Sequence, residues 1–222
     1  MRVCCTPHCA VKNPSPQSSP LREGERRIQR SPKMSFSAVL LAGGESLRMG
    51  KDKATVLFRA KPLWQIQLKL LRNLEPEEIL VSARTDPPWR PEDVQLVTDD
   101  SPSRGPLSGL AASLAHMRSA HLLALAIDMP FMSEKFLRYL CEQIEPRVGV
   151  VPKIDNRAEP LAALYPQEAA CEVRAALSGT DYSLQALTTR LVETGKLRPI
   201  PVTEQDKKLF LNVNEVCDLA AL

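Results

Sequence analysis

Phe36-Ser37-Ala38-Val39-Leu40-Leu41-Ala42-Gly43-Gly44-Glu45-Ser46-Leu47-Arg48-Met49-Gly50-Lys51-Asp52-Lys53 joins a mostly apolar run to a glycine-rich, cationic loop. A short apolar run without alternation, Phe36 to Ala42, reads as a strand buried on both faces, and Gly43 and Gly44 end it in a tight loop. Pro62 then opens a helical pattern, with Leu63, Ile66, Leu70 and Leu74 on one stripe. Strand, glycine loop and helix in succession make an α/β unit.

The unit recurs along the chain. Glu78 to Ala83 and Val94 to Val97 read as strands, Leu107, Leu110, Ala111 and Leu114 form a helix face, and His121 to Ile127 is another buried strand. Ser133 is placed to cap a helix carrying Phe136, Leu137, Leu140 and Ile144. Further on come a strand at Val148 to Pro152, an extended run at Pro160 to Tyr165, helices near 167–177 and 183–193, a strand at 198–202 and a closing helix capped by Asn214. Strands alternating with helices predict a Rossmann-like α/β fold, a doubly wound and mostly parallel sheet in a single domain.

Residues 1–33 differ from the rest. They carry seven Lys/Arg against two Glu, a charge of +5, so the net +3 of the whole chain leaves −2 for residues 34–222. The basicity is therefore no nucleic-acid footprint of the folded part. Pro7, Pro14, Pro16, Pro20 and Pro32 interrupt a segment with no apolar period, which predicts a disordered leader. It has no apolar core of a secretory signal, and Met34 begins the first patterned segment. The expectation is a leader at 1–33, arising from a start assigned upstream of Met34, and one domain over 34–222. Cys4, Cys5, His8 and Cys9 lack a second Cys/His pair at finger spacing, so they are not read as a zinc site. Cys141, Cys171 and Cys217 are read as small core residues of a protein in a reducing compartment, and His116 and His121 as surface residues. No stretch approaches the roughly 18 apolar residues of a membrane span.

In open parallel sheets, ligands lie outside the carboxyl ends of the strands, so the residues just after each apolar run are the informative ones. These are Gly43, Gly44, Arg48, Lys51 and Lys53, then Ser82, then Asp99 and Asp100, then Asp128. Backbone donors, cations and carboxylates together suit a nucleoside triphosphate with a metal. Gly44 and Gly50 enclose five residues and Asp52 follows Lys51, which excludes a Walker-type P-loop. Glycines still let N–H groups approach polyphosphate, with Arg48 and Lys53 neutralising charge. A surface turn with solvated lysines would equally account for the loop alone. Asp128, held before Met129 and Pro130, presents a hard oxygen ligand of the kind Mg²⁺ takes.

Leu41-Ala42-Gly43-Gly44, Arg48-Met49-Gly50 and Asp52-Lys53 resemble the signature loop of the molybdenum cofactor guanylyltransferases and their nucleotidyltransferase relatives. Lys61-Pro62-Leu63, Gly105-Pro106-Leu107-Ser108-Gly109, Asp128-Met129-Pro130-Phe131, Glu159-Pro160-Leu161 through Tyr165, and Asn212-Val213-Asn214 follow in that family's order, across residues 36–217. The resemblance implies a cytoplasmic, Mg²⁺-dependent enzyme that transfers GMP from GTP to molybdopterin, with molybdoenzymes or cofactor-insertion proteins as further partners and neither nucleic acid nor membrane. It implies that Leu41, Ala42, Gly43 and Lys53 hold triphosphate and guanosine, that Ser82 and Asp99 face the nucleoside, and that Asp128 binds GTP and the metal. Arg48, Asn212 and Asn214 fall to the molybdopterin side, with Arg48, Lys53 and Asp128 as the catalytic group.

Two residues depart from the pattern: Ser82 stands where relatives often have Asn, and Asp181 where they often carry Arg. The first bears on base choice and the second on the pterin side. A cytidylyltransferase or sugar-phosphate nucleotidyltransferase of the same fold, and a nucleotide-binding regulator without turnover, are the alternatives.

Overall fold

In a computed structural model of the chain, residues 35–43, 52–98 and 102–212 are described. Strand β1 (Ser37–Leu41) is buried throughout because it has parallel neighbours on both sides, β4 (Ile79–Ala83) and β6 (His121–Ala126). The chain between them forms a small antiparallel hairpin, β2 (Leu57–Phe58) with β3 (Lys61–Pro62), and helix α1 (Leu63–Asn73). After β4 come β5 (Gln95–Thr98), α2 (Pro106–His116), β6, α3 (Glu134–Glu142), β7 (Gly149–Ile154), β8 (Arg157–Ala158), β9 (Ala162–Pro166), α4 (Ala170–Leu177), α5 (Leu184–Glu193) and β10 (Leu197–Pro201).

The sheet order is β10-β7-β9-β6-β1-β4-β5, with β8 against β7. Every pair along this path is parallel except those made by β9, which runs antiparallel to both β6 and β7. The mostly parallel sheet is as expected. Side chains alternate along β1: Ala38 and Leu40 join a core layer with Leu68, Leu71, Phe136 and Leu137 of α1 and α3. Val39 and Leu41 join the other layer, with Leu107, Leu110, Val173 and Leu187 of α2, α4 and α5. Helices therefore cover both faces, the doubly wound arrangement.

Several expectations need correction. Gln67 is fully buried in α1 while Ile66 and Leu70 are only partly so, because the helix turns its Leu63, Gln67, Leu68 and Leu71 side to the sheet. His121 is not a surface residue: it opens the central strand β6, is fully buried, and lies 3.2 Å from the Val148 carbonyl through Nε2. Burial pushes its pKa down. Cys171 is exposed, since it sits two residues from buried Val173 and so on the opposite side of α4. Cys141, one turn after buried Leu137, packs partly against the core. Cys217, the leader and the expected closing helix lie outside the described residues. Among those described, no helix is long and apolar enough to cross a membrane.

Candidate active site

The chain leaves β1 for β4 and β5 on one side, then returns to β6 on the other, so the strand order reverses between β1 and β6. At such a switch point the connections diverge and open a crevice beyond the carboxyl ends. Backbone hydrogen bonds set those ends level. The Ala42 N–H donates to the Ser82 carbonyl at 2.9 Å, the Ile127 N–H to that of Leu41 at 3.1 Å, and the Ala126 N–H to that of Leu161 at 2.8 Å. A cavity lies there, lined by Leu41, Ala42, Gly43, Lys53, Ser82 and Asp128 among the expected residues.

Lys53 enters through a 3-10 turn, Lys53–Thr55, whose middle residue Ala54 is fully buried. Asp52 caps the turn: its Oδ1 accepts from the Ala54 N–H at 2.9 Å, and its carbonyl accepts the Thr55 hydroxyl at 2.8 Å. A flexible lysine is thus mounted on a fixed base. Its Nζ lies 3.3 Å from Asp128 Oδ2, with the two side chains 23% and 18% exposed. Both are covered enough to be held and open enough to meet a ligand.

Asp128 is held from behind. Met129 is buried, and its carbonyl accepts the Gln67 Nε2–H at 2.7 Å from α1. Phe131 packs edge-on against Phe58 of the hairpin, centroids 5.0 Å apart. Ser133, not Asp128, caps α3, its hydroxyl accepting the Phe136 N–H. The carboxylate is therefore free of a structural duty at the helix.

The fourth wall is the N-terminus of α2. Gly105 turns at φ 66, a conformation that costs glycine little, and Pro106 begins the helix. No side chain caps this end, and Gly105, Pro106 and Gly109 line the cavity. A helix N-terminus facing a cavity offers N–H groups and a positive dipole end to phosphate. Sequence reasoning assigns these three residues no role, although a glycine followed by proline at a helix start signals such an end. Ala126, Ile127 and Leu161, also lining the cavity, carry no polar group that sequence could single out.

Ser82 lies within β4, not after it, and is 1% exposed. It fits because Gly109 has no side chain: a Cβ there would come 2.4 Å from Ser82 Oγ and 3.1 Å from Leu41 Cδ2. Gly109→Ala is expected to destabilise the fold by about 1–3 kcal/mol through overpacking and to weaken nucleotide binding. Chemical denaturation and a binding titration read the two effects, and unchanged values in both would show that the crevice yields.

Asn212 is exposed beyond the 3-10 turn Lys207–Phe210 and does not line this cavity. Gly44, Arg48, Lys51, Asp99, Asp100 and Asn214 lie outside the described residues. Among described residues no group of three His, Cys, Asp or Glu is gathered as a metal cage. The Asp128 carboxylate supplies a hard oxygen of the kind Mg²⁺ takes, an ion that uses one or two carboxylates and completes its shell with water and phosphate oxygens, while the Lys53 ammonium suits the phosphates themselves.

Residues 38–194 match the family model described as the MobA-like NTP transferase domain. The chain is 31% identical over 182 residues to the "Probable molybdenum cofactor guanylyltransferase" of Opitutus terrae, covering 81% of this chain and 90% of that one. It is 29% identical over 184 residues to the "Molybdenum cofactor guanylyltransferase" of Syntrophotalea carbinolica, covering 80% and 86%. In fold it is similar to the crystal structure of molybdopterin-guanine dinucleotide biosynthesis protein A from Archaeoglobus fulgidus, with a TM-score of 0.67, 24% identity, and 83% and 95% of the two chains covered. The switch-point crevice and the family match over most of the sheet agree: the chain belongs to the MobA-like NTP transferase family.

Proposed function

We propose that this protein transfers GMP from Mg·GTP to the terminal phosphate of molybdopterin, releasing pyrophosphate. The observation that carries the reading is the meeting of Lys53 and Asp128 at the switch point, beside Gly43 and the open N-terminus of α2. In the transfer, an oxygen of the acceptor phosphate bonds to the α-phosphorus. The bond from that phosphorus to the bridging oxygen breaks, and pyrophosphate leaves with the electron pair. No nucleophilic side chain is required; the protein supplies position and charge neutralisation. Lys53 binds triphosphate oxygens, and Asp128 would hold a divalent metal, which would spread the negative charge of the phosphates. The N-terminus of α2 adds hydrogen-bond donors and the positive end of the helix dipole.

Guanine needs acceptors for its N1–H and N2–H₂ groups. The Ala42 N–H is committed to Ser82, so Ala42 offers the base its carbonyl, and Ser82 its hydroxyl. By resemblance, Asp99 faces the nucleoside, while Arg48, Asn212 and Asn214 serve the acceptor. We place the reaction in the cytoplasm, with molybdoenzymes or cofactor-insertion proteins receiving the product.

Competition binding of GTP, ATP and CTP in Mg²⁺ tests the base assignment. GTP is expected to bind most tightly, by a modest margin, since one buried hydroxyl is a weak selector; tighter CTP binding would make the protein a cytidylyltransferase. The leader is proposed to be dispensable. A chain beginning at Met34 is expected to equal the full chain in thermal midpoint and turnover, and a midpoint several degrees lower would show that residues 1–33 dock.

A further inference from the structure

The chain has two tryptophans, and they stack on each other: Trp64 of α1 and Trp89, centroids 5.8 Å apart and planes 17° apart. Trp89 belongs to the connection between β4 and β5, and its Nε1–H donates to Asp52 Oδ2 at 2.7 Å. The other oxygen of Asp52 accepts from the Ala54 N–H, so both carboxylate oxygens are engaged, and the residue between the two ends of that cap is Lys53. The connection itself is braced. Arg90 grips Asp86 through Nε and Nη2, both at 2.7 Å, and donates from Nη1 to the Val94 carbonyl at 2.5 Å.

Ring packing alone would need only the faces of Trp89. An N–H aimed at a carboxylate is directional and charge-assisted, and it fixes the carboxylate in rotation as well as in place. The indole, anchored by Trp64 behind and Arg90 beside it, thereby sets the orientation of the turn from which Lys53 reaches Asp128.

We propose that Trp89 is a positioning residue for nucleotidyl transfer, acting through Asp52 on Lys53. The inference rests on the reading of Lys53 as the phosphate-binding cation. Trp89 contributes no group to the phosphates; it keeps the ammonium where the triphosphate arrives, and a misplacement of about 1 Å can cost about 100-fold in rate.

The test compares the full chain with Trp89→Phe, which keeps a ring against Trp64 and loses the N–H, and with Asp52→Asn, which keeps a capping oxygen and loses the acceptor for the indole. Lys53→Ala and the Trp89→Phe/Lys53→Ala double variant complete a cycle. The Lys53 signal is followed by NMR of ¹³C-dimethylated lysines, assigned by its loss in Lys53→Arg, alongside pyrophosphate release. Trp89→Phe and Asp52→Asn are each expected to shift the Lys53 resonance and lower kcat/KM about tenfold, within the range a small misplacement costs, at an unchanged thermal midpoint. The double variant should be no slower than Lys53→Ala, since residues acting as one unit are non-additive. An unmoved Lys53 resonance, or losses that multiply in the double variant, would overturn the proposal. If Trp89→Phe fails to fold, Asp52→Asn carries the same comparison. A wild-type chain that transfers no nucleotide would sink the proposed function, while the Lys53 resonance would still decide the positioning.

Discussion

Asp128→Asn is expected to lower metal-dependent turnover by about 1,000-fold or more, equivalent to about 4 kcal/mol of transition-state stabilisation, while the protein remains folded. The substitution keeps the shape of the side chain and removes its charge. The surrounding anchors are elsewhere: the Met129 carbonyl keeps its bond from Gln67, Phe131 keeps Phe58, and Ser133 still caps α3. The charge pairing with Lys53 is lost, but a partly exposed pair contributes only about 0–1 kcal/mol to stability. Turnover measured against Mg²⁺ concentration, beside a thermal melt, separates the effects. Wild-type activity with an unchanged Mg²⁺ dependence would remove Asp128 from the metal site.

Lys53→Ala is the second large effect. A preorganised donor facing developing charge contributes on the order of 3–4 kcal/mol, so kcat/KM is expected to fall about 100- to 1,000-fold. Its base does not depend on the side chain's tip: Ala54 remains in the core and Asp52 still caps the turn, so the thermal midpoint should hardly move. Steady-state kinetics with GTP as the varied substrate provide the check. Values within threefold of wild type would return Lys53 to the status of a solvated lysine.

The parts of this site that the sequence disclosed are those where chemistry interrupts an apolar run. Asp128 lies two residues beyond β6 and Gly43 two beyond β1, and both breaks are abrupt enough to mark a cavity-lining residue just past a strand end. The direction of β9 was hidden, because an apolar run looks the same whether it pairs parallel or antiparallel. Gln67 was hidden by its polarity. Nothing in a helical period announces that a glutamine will be buried to hold the carbonyl after Asp128. His121 is hidden for the same reason: a polar residue at a strand's first position looks exposed, yet it is fully buried where β6 pairs with β9. The role of Gly109 needed the third dimension, since it makes room for Ser82 from a different element. The link between Trp89 and Asp52 joins residues 37 positions apart through a single N–H, a contact no spacing rule predicts.

Pyrophosphate release by the purified protein, with each nucleoside triphosphate in turn, with and without molybdopterin and with and without Mg²⁺, tests the central claim most directly. The account predicts release that requires GTP, molybdopterin and Mg²⁺ together and yields a guanine dinucleotide of the pterin. Release with CTP in preference to GTP, or no release under any combination that includes molybdopterin, would contradict it.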